Sequence, residues 1–159
     1  MSEPKGYLAI LLHAHLPYVR HAHGDAYLEE KWHYEALTET YIPLYGMLAR
    51  LAAEGVPYRL TVSLSPTLIS MCRDPLLQER FSQFIDGLCR LAELETSRTR
   101  WQPEFRETAE MYLERFQHVR SVYNDTLQRD VVGGFARLAG QGRIELITTA
   151  ATHGYLPLM

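Results

Sequence analysis

Hydrophobic positions along this chain follow two rhythms. Tyr7–His13 is a nearly continuous apolar run, the mark of a strand buried on both faces. Tyr58–Leu64 alternates, with Tyr58, Leu60, Val62 and Leu64 on one side, and Arg143–Thr149 is a third short run rich in branched residues. Between the first two, Lys31–Glu54 carries Leu37, Tyr41, Leu44, Leu48 and Leu51 at helical spacing, which predicts an amphipathic helix. Gly55 is placed to close it as a C-cap, and Pro43 is expected to kink or divide it. Strand, long crossover and strand imply a parallel sheet with right-handed connections.

The stretch between the second and third runs is too long for one crossover helix. Asp74-Pro75 is a strong helix start, an N-cap acid followed by proline at the first helical position. Leu77, Phe81, Phe84, Leu88 and Leu91 then form one stripe. After the polar link Thr96–Gln102, Pro103 opens a second helix striped by Phe105, Ala109, Tyr112, Phe116, Val119, Tyr123 and Leu127. Two such stripes predict an antiparallel helical hairpin over residues 74–130. Phe81, Phe84, Phe116 and Tyr123 are expected to meet across it, away from the core of the sheet. The alternative is one interrupted helix in a bundle, which the absence of periodicity in the link disfavours. The fold class is therefore α/β with parallel strands. Only about three strands are visible before Met159, with no helix after the third, so the chain reads as the opening portion of a larger α/β fold.

Composition narrows the class of protein. The chain has 159 residues, 47% of them hydrophobic and 22% charged, which is ordinary for one globular domain. Basic residues number 16 and acidic 19, for a net charge of −3. Such a surface offers no concentrated basic patch for duplex nucleic acid or an anionic membrane. The Tyr7–Leu12 run is far shorter than the roughly 20 residues that span a bilayer. No small-residue cleavage site follows it, so neither a leader nor an anchor is expected there. Cys72 and Cys89 have no CxxC spacing, which points to a reducing compartment and makes the cytoplasm the expected location.

The chemistry concentrates at the ends of two strands. His13 and His15 are two apart, so both project to one side at the C-terminal end of the first strand, with Pro17 enforcing the turn beyond. That end is where ligands bind in parallel α/β folds. One reading is a divalent metal, held by the His-x-His pair as in amidohydrolase-type sites, with His21, His23 and Asp25 as further ligands. The other is a sugar site, in which neutral imidazoles supply hydrogen bonds and Tyr18, Trp32 and Tyr34 supply flat faces for stacking. Those aromatics could equally be core. In the last run, Glu145 alternates with Ile144 and Leu146 and so faces away from them, either exposed at an edge or functional. His153 follows on the loop, again at the ligand-binding end.

Together these segments resemble glycoside hydrolase family 57. The His-x-His-x-Pro strand end is matched by His13, His15 and Pro17, and the Gly-[Gln/Arg]-x-Glu strand by Gly142, Arg143 and Glu145. The fuller stretches, HAHLPYVRH with EALTETYIPL and GRIELITTAATHGYLPL, are similar to the 1,4-α-glucan branching enzymes of that family. The resemblance implies the N-terminal portion of an incomplete seven-stranded (β/α) barrel carrying an inserted antiparallel helical hairpin. It implies a retaining transferase that cleaves α-1,4 links and forms α-1,6 branches, with 4-α-glucanotransfer and hydrolysis as close alternatives. No metal or other cofactor is implied, and the partners are an α-1,4-glucan and the rest of the catalytic domain. His13, His15 and His153 would line the subsite for the donor glucose, with Glu145 supporting it. Tyr18 and Trp32 join them by proximity alone. The nucleophilic glutamate and the acid aspartate of the family belong to later motifs, expected beyond Met159. Residues 1–159 alone are thus expected to be inactive, at most a carbohydrate-binding fragment.

Overall fold

A computed structural model of the chain describes residues 6–24 and 27–158. Its centre is a three-stranded parallel sheet in the order β1 (Leu11–Ala14), β2 (Leu60–Leu64), β3 (Ile144–Ile147). Leu11 pairs with Thr61 and His13 with Ser63, while Thr61 pairs with Glu145 and Ser63 with Ile147. Side chains alternate across a strand, so this register sorts the residues into two faces. Ala14, Val62, Leu64 and Ile144 are buried beneath helices. Leu11, His13, Thr61, Glu145 and Ile147 share the other, open face.

That open face corrects one expectation. The apolar run at the start of the chain is not buried on both sides: Tyr7 is 94% and Leu11 58% exposed. Pairing begins only at Leu11, and β1 lies at an edge of the sheet with helices against one face. Apolar content alone could not distinguish a covered face from an open one.

Between β1 and β2 the chain forms one helical rod, α1 (Leu28–Ala36), a wide turn (Leu37–Tyr41) and α2 (Ile42–Ala53). Pro43 divides it in its hydrogen-bond ladder alone, standing in the first turn of α2. In the wide turn the Ile42 N–H donates to Leu37 O, five residues back, which shifts the ladder just before the proline's missing donor. The carbonyl of Glu39, which an ordinary residue at position 43 would have bonded, instead accepts from Arg115 at 3.3 Å. The rod ends as predicted at Gly55, whose φ is +73°. Gly55 N–H donates to Ala52 O and Val56 N–H to Leu51 O, the paired bonds of a Schellman cap. The same device recurs before β3. Gly142 has φ +69°, with Gly142 N–H on Ala139 O and Arg143 N–H on Leu138 O.

Four helices, not two, separate β2 from β3: α3 (Pro66–Arg73), α4 (Pro75–Arg98), α5 (Pro103–Ser121) and α6 (Val131–Gly140). α3 repeats the cap-proline signature of α4, since Ser65 Oγ accepts from Leu68 N–H ahead of Pro66. Asp74 ends α3 and starts α4. α6 is capped by Asp130, which accepts from Gly133 N–H at 2.8 Å. Its Gly134 is a packing requirement: a Cβ there would stand 2.4 Å from Leu127 and 3.1 Å from Tyr45.

α4 and α5 run back along each other, joined at Thr99–Gln102. The aromatic residues of their stripes distribute differently from expectation. Phe81 and Tyr123 do meet, edge to face at 4.6 Å, but both lie fully inside the main core. Phe84 packs on Tyr34 at 5.4 Å, and Phe116 sits beside Tyr112. The first turns of α4 and the end of α5 are thus part of the core that backs the sheet, while the distal ends project from it. No helix of the described residues is long and apolar enough to cross a membrane.

Candidate functional site

At the C-terminal edge of the sheet three imidazoles converge. His13 stands on β1, His15 one residue beyond its end, and His153 on the loop after β3. Ring centroids lie 6.2 Å apart for His13–His15, 4.8 Å for His13–His153 and 4.3 Å for His15–His153. His13 Nε2 and His153 Nε2 are 2.7 Å apart, so one ring donates and the other accepts. Two imidazoles on a tetrahedral zinc would stand about 3.3 Å apart, given Zn–N bonds near 2.0–2.1 Å. The pair therefore shares a proton in this arrangement. Among the described residues no group of three or more His, Cys, Asp or Glu is arranged to hold a metal ion.

The electrostatics favour an uncharged His15 ring. Burial lowers the His15 pKa, and proximity to His153 and then His13 lowers it further, because a second positive charge there would be repelled. His15 Nδ1 and the hydroxyl of Ser63, in register with His13, are buried without a hydrogen-bond partner. Ser63 is only 2% exposed. His153 adopts φ +61°, the left-handed region that non-glycine residues seldom occupy, and its N–H closes a turn on Ala150 O.

The other sequence-predicted residues lie apart from this cluster. Glu145 shares its face of the sheet but sits two register positions toward the N-terminal end, roughly 6–7 Å back along the strand direction. It is exposed and accepts a hydrogen bond from Thr61 Oγ1 at 2.9 Å. Tyr18 and Trp32 are 55% and 48% exposed, on the loop after β1 and on α1, with no contact to the three imidazoles among those described. Tyr34 is buried in the core. His21 stacks on Tyr27 at 3.8 Å, and His23 is exposed. Neither joins the cluster. Asp25 lies outside the described residues, and so does Met159, the position past which the catalytic glutamate and aspartate are expected.

What the sequence did not reveal is how the loop after β1 is held. Leu16 O accepts from Thr67 Oγ1, Val19 N–H reaches Met71 Sδ, and Arg20 Nε meets Asp74 Oδ2 at 2.6 Å. Glu30, 1% exposed, accepts from His21 N–H at 2.7 Å, Tyr34 Oη at 2.8 Å and Arg80 Nη1 at 2.8 and 2.9 Å. Arg80 also donates to His21 O at 3.0 Å and to Gly24 O. Burial acts to raise the Glu30 pKa, but the bonds from His21, Tyr34 and Arg80 prevail and hold it below the usual carboxylate range. His33, in the next turn of α1, is fully buried, and burial pushes its pKa down to about 4. Glu30 and Arg80 are fifty residues apart, and no local spacing marks them as partners.

A parallel sheet with polar side chains gathered at its C-terminal edge defines an α/β protein with a candidate site at the strand ends. Residues 9–159 match glycosyl hydrolase family 57, and the chain belongs to that family. It is 35% identical over 157 residues to the 1,4-alpha-glucan branching enzyme TK1436 of Thermococcus kodakarensis. That match takes in 98% of this chain but 22% of the relative, so the chain spans less than a quarter of that enzyme's length. TK1436 has been solved in complex with glucose and additives, with a TM-score of 0.86 and 34% identity over 98% of this chain and 27% of that one. The GH57-type branching enzyme of Pyrococcus horikoshii gives a TM-score of 0.87 at 36% identity, covering 98% of this chain and 29% of the other. The alpha-amylase AmyC of Thermotoga maritima gives 0.88 at 38% identity, covering 94% and 28%.

Proposed function

We propose that these residues form the opening part of a retaining α-glucan transferase, with His13, His15 and His153 lining the subsite for the donor glucose. The observation that carries this reading is the convergence of the three imidazoles at the strand ends, two of them sharing a proton 2.7 Å apart. Imidazole rings offer donors and acceptors to sugar hydroxyls. Glu145 supports the subsite from below, and Tyr18 and Trp32 give exposed rings on which a glucan can stack. In this reading the sheet is the first part of an incomplete seven-stranded (β/α) barrel, and residues 74–130 are a helical hairpin inserted into it.

The reaction needs two carboxyl groups roughly 5–5.5 Å apart on opposite sides of the scissile bond. A glutamate attacks the anomeric carbon while an aspartate protonates the departing oxygen, both supplied by later motifs of a longer protein, beyond Met159. Attack by a sugar 6-hydroxyl on the glucosyl-enzyme then makes the α-1,6 branch. Two branching relatives favour this acceptor. The likeness to AmyC favours a second reading, hydrolysis, which differs only in using water. A reducing cytoplasm and glycogen-type synthesis are the setting the first reading implies, in keeping with Cys72 and Cys89 as buried free thiols.

Incubation of the full-length protein with amylose separates the two. Branching yields new α-1,6 links without a net gain in reducing ends, whereas hydrolysis adds one reducing end per cut. His13→Ala should lower kcat more than glucan affinity, because a group at the donor subsite acts most where charge develops on the ring. Unchanged turnover would make His13 scaffolding. Residues 1–159 alone should turn over no glucan. About one zinc per chain, lost in His13→Ala, would favour the amidohydrolase reading instead.

A further inference from the structure

The loop between Ala14 and Leu28 leaves the imidazole cluster at His15 and carries Tyr18 three residues on. It has no regular secondary structure over its described residues, yet its backbone groups are met by side chains from other elements. One of these side chains does several things at once. Arg80 Nη1 spans both oxygens of Glu30 and also reaches His21 O, while Nη2 reaches Gly24 O. Glu30 in turn accepts from His21 N–H, so His21 is gripped at both its N–H and its C=O by one ion pair. The pair is shut away from water, with Arg80 and Glu30 side chains 12% and 2% exposed. A guanidinium offers donors in a fixed planar fork, which suits this division of labour and which a lysine ammonium cannot reproduce.

We infer that Arg80 is a positioning residue: through Glu30 and the carbonyls of His21 and Gly24 it fixes the loop after β1, the wall that leaves the sugar subsite at His15. Arg80 touches no substrate. It belongs to α4, so the elongated helical pair is tied to the wall of the site as well as to the core. The inference rests on the α-glucan reading above, and it makes loop rigidity a condition of turnover. Misplacement of a positioning wall by even 1 Å can cost on the order of a hundredfold in rate.

The test uses Arg80→Lys in the full-length protein, which keeps the charge but loses the fork, and Tyr34→Phe, which removes one donor from Glu30 and is the milder change. Amide exchange at Val19–Gly24 should quicken at least tenfold in Arg80→Lys, with the β2 amides unchanged. The kcat on amylose should fall at least tenfold while KM shifts less than threefold, and Tyr34→Phe should move both readouts the same way by less. Phe116→Ala is the stability control, since it loosens packing remote from the loop and should leave kcat near the parent value. Unchanged exchange in both variants, or a kcat loss no greater than in Phe116→Ala, would overturn the inference. Should Arg80→Lys fail to fold, Tyr34→Phe decides on the same criteria. Should the parent protein show no α-glucan turnover, the functional reading fails, while the exchange rates still show whether Arg80 holds the loop.

Discussion

The loop after β1 is stitched to α1, α3 and α4 by buried side chains, whereas the loop after β3 is held largely by its own turns. Along the first, Leu16, Val19, Arg20, His21 and Gly24 each have a partner on a helix or at its cap. Along the second, Thr148 Oγ1 reaches Leu64 O and the His153 ring meets that of His13, while the remaining described bonds are internal, His153 N–H to Ala150 O and Leu158 N–H to Tyr155 O among them. Tyr155, Leu156 and Leu158 are exposed. Yet each loop delivers one imidazole to the cluster. One side of the candidate site is therefore tied to three helices, and the other to the strands by few bonds.

The sharpest way to break that contrast is Glu30→Ala. Removing one member of a buried pair leaves Arg80 charged and unpaired, which costs about 3–5 kcal/mol. Urea denaturation should show it, while Glu110→Ala, which breaks the exposed Arg106–Glu110 pair, should change stability by less than about 1 kcal/mol. An equal loss in both would mean the first loop is no better anchored than the surface.

A somewhat smaller effect should come from pH. His33 is buried one turn after Glu30 on α1, with a folded pKa of about 4 against an ordinary 6.5. Below pH 6.5 the unfolded chain takes up a proton that the folded chain refuses, so stability falls as the pH drops from about 6.5 to about 4. The full loss is on the order of 3 kcal/mol. His33→Phe should flatten this part of the stability–pH curve, and an unchanged slope would relocate the effect to another group.

The least stability change is expected from the second loop. His153→Gly removes a ring and relieves a left-handed φ, and the two nearly cancel, leaving stability within about 0.5 kcal/mol. Binding of maltoheptaose, followed by calorimetry, should nonetheless weaken. A large stability loss here would make the second loop as structural as the first.

Legibility in the sequence divided along the same line. Short-range signals were reliable: Asp74-Pro75 opened a helix, Gly55 closed one, and the alternation of Tyr58–Leu64 put Val62 and Leu64 in the core. α3 carried the same signal in Ser65-Pro66, and α6 was hidden by two glycines that helices seldom tolerate. The imidazole cluster was readable because His13 and His15 mark one strand end and His153 follows another. Glu145 was placed on the open face, but its height relative to the imidazoles depends on register between strands, which no single segment encodes. The Glu30–Arg80 pair was invisible, because a long-range ion pair leaves no periodic trace in either segment. Pro43 marked the division of the helix, but the wide turn and the donor from Arg115 that accommodate it left no trace in the sequence.

Asp74 has a consequence for how this protein can change over evolutionary time. Its Oδ1 accepts from Leu76 and Leu77 N–H at the head of α4, while Oδ2 holds Arg20. Serine, threonine and asparagine can all cap a helix, so each would pass as a harmless replacement by the measure of helix formation. None carries the charge that Arg20 needs, and glutamate reaches too far to cap as well. Drift through the good caps would therefore leave α4 intact and release the loop at Arg20. Mutational tolerance at this position is narrow for the loop's sake and broad for the helix's. A lineage in which the loop became mobile could arise by a single replacement that a folding screen would score as neutral.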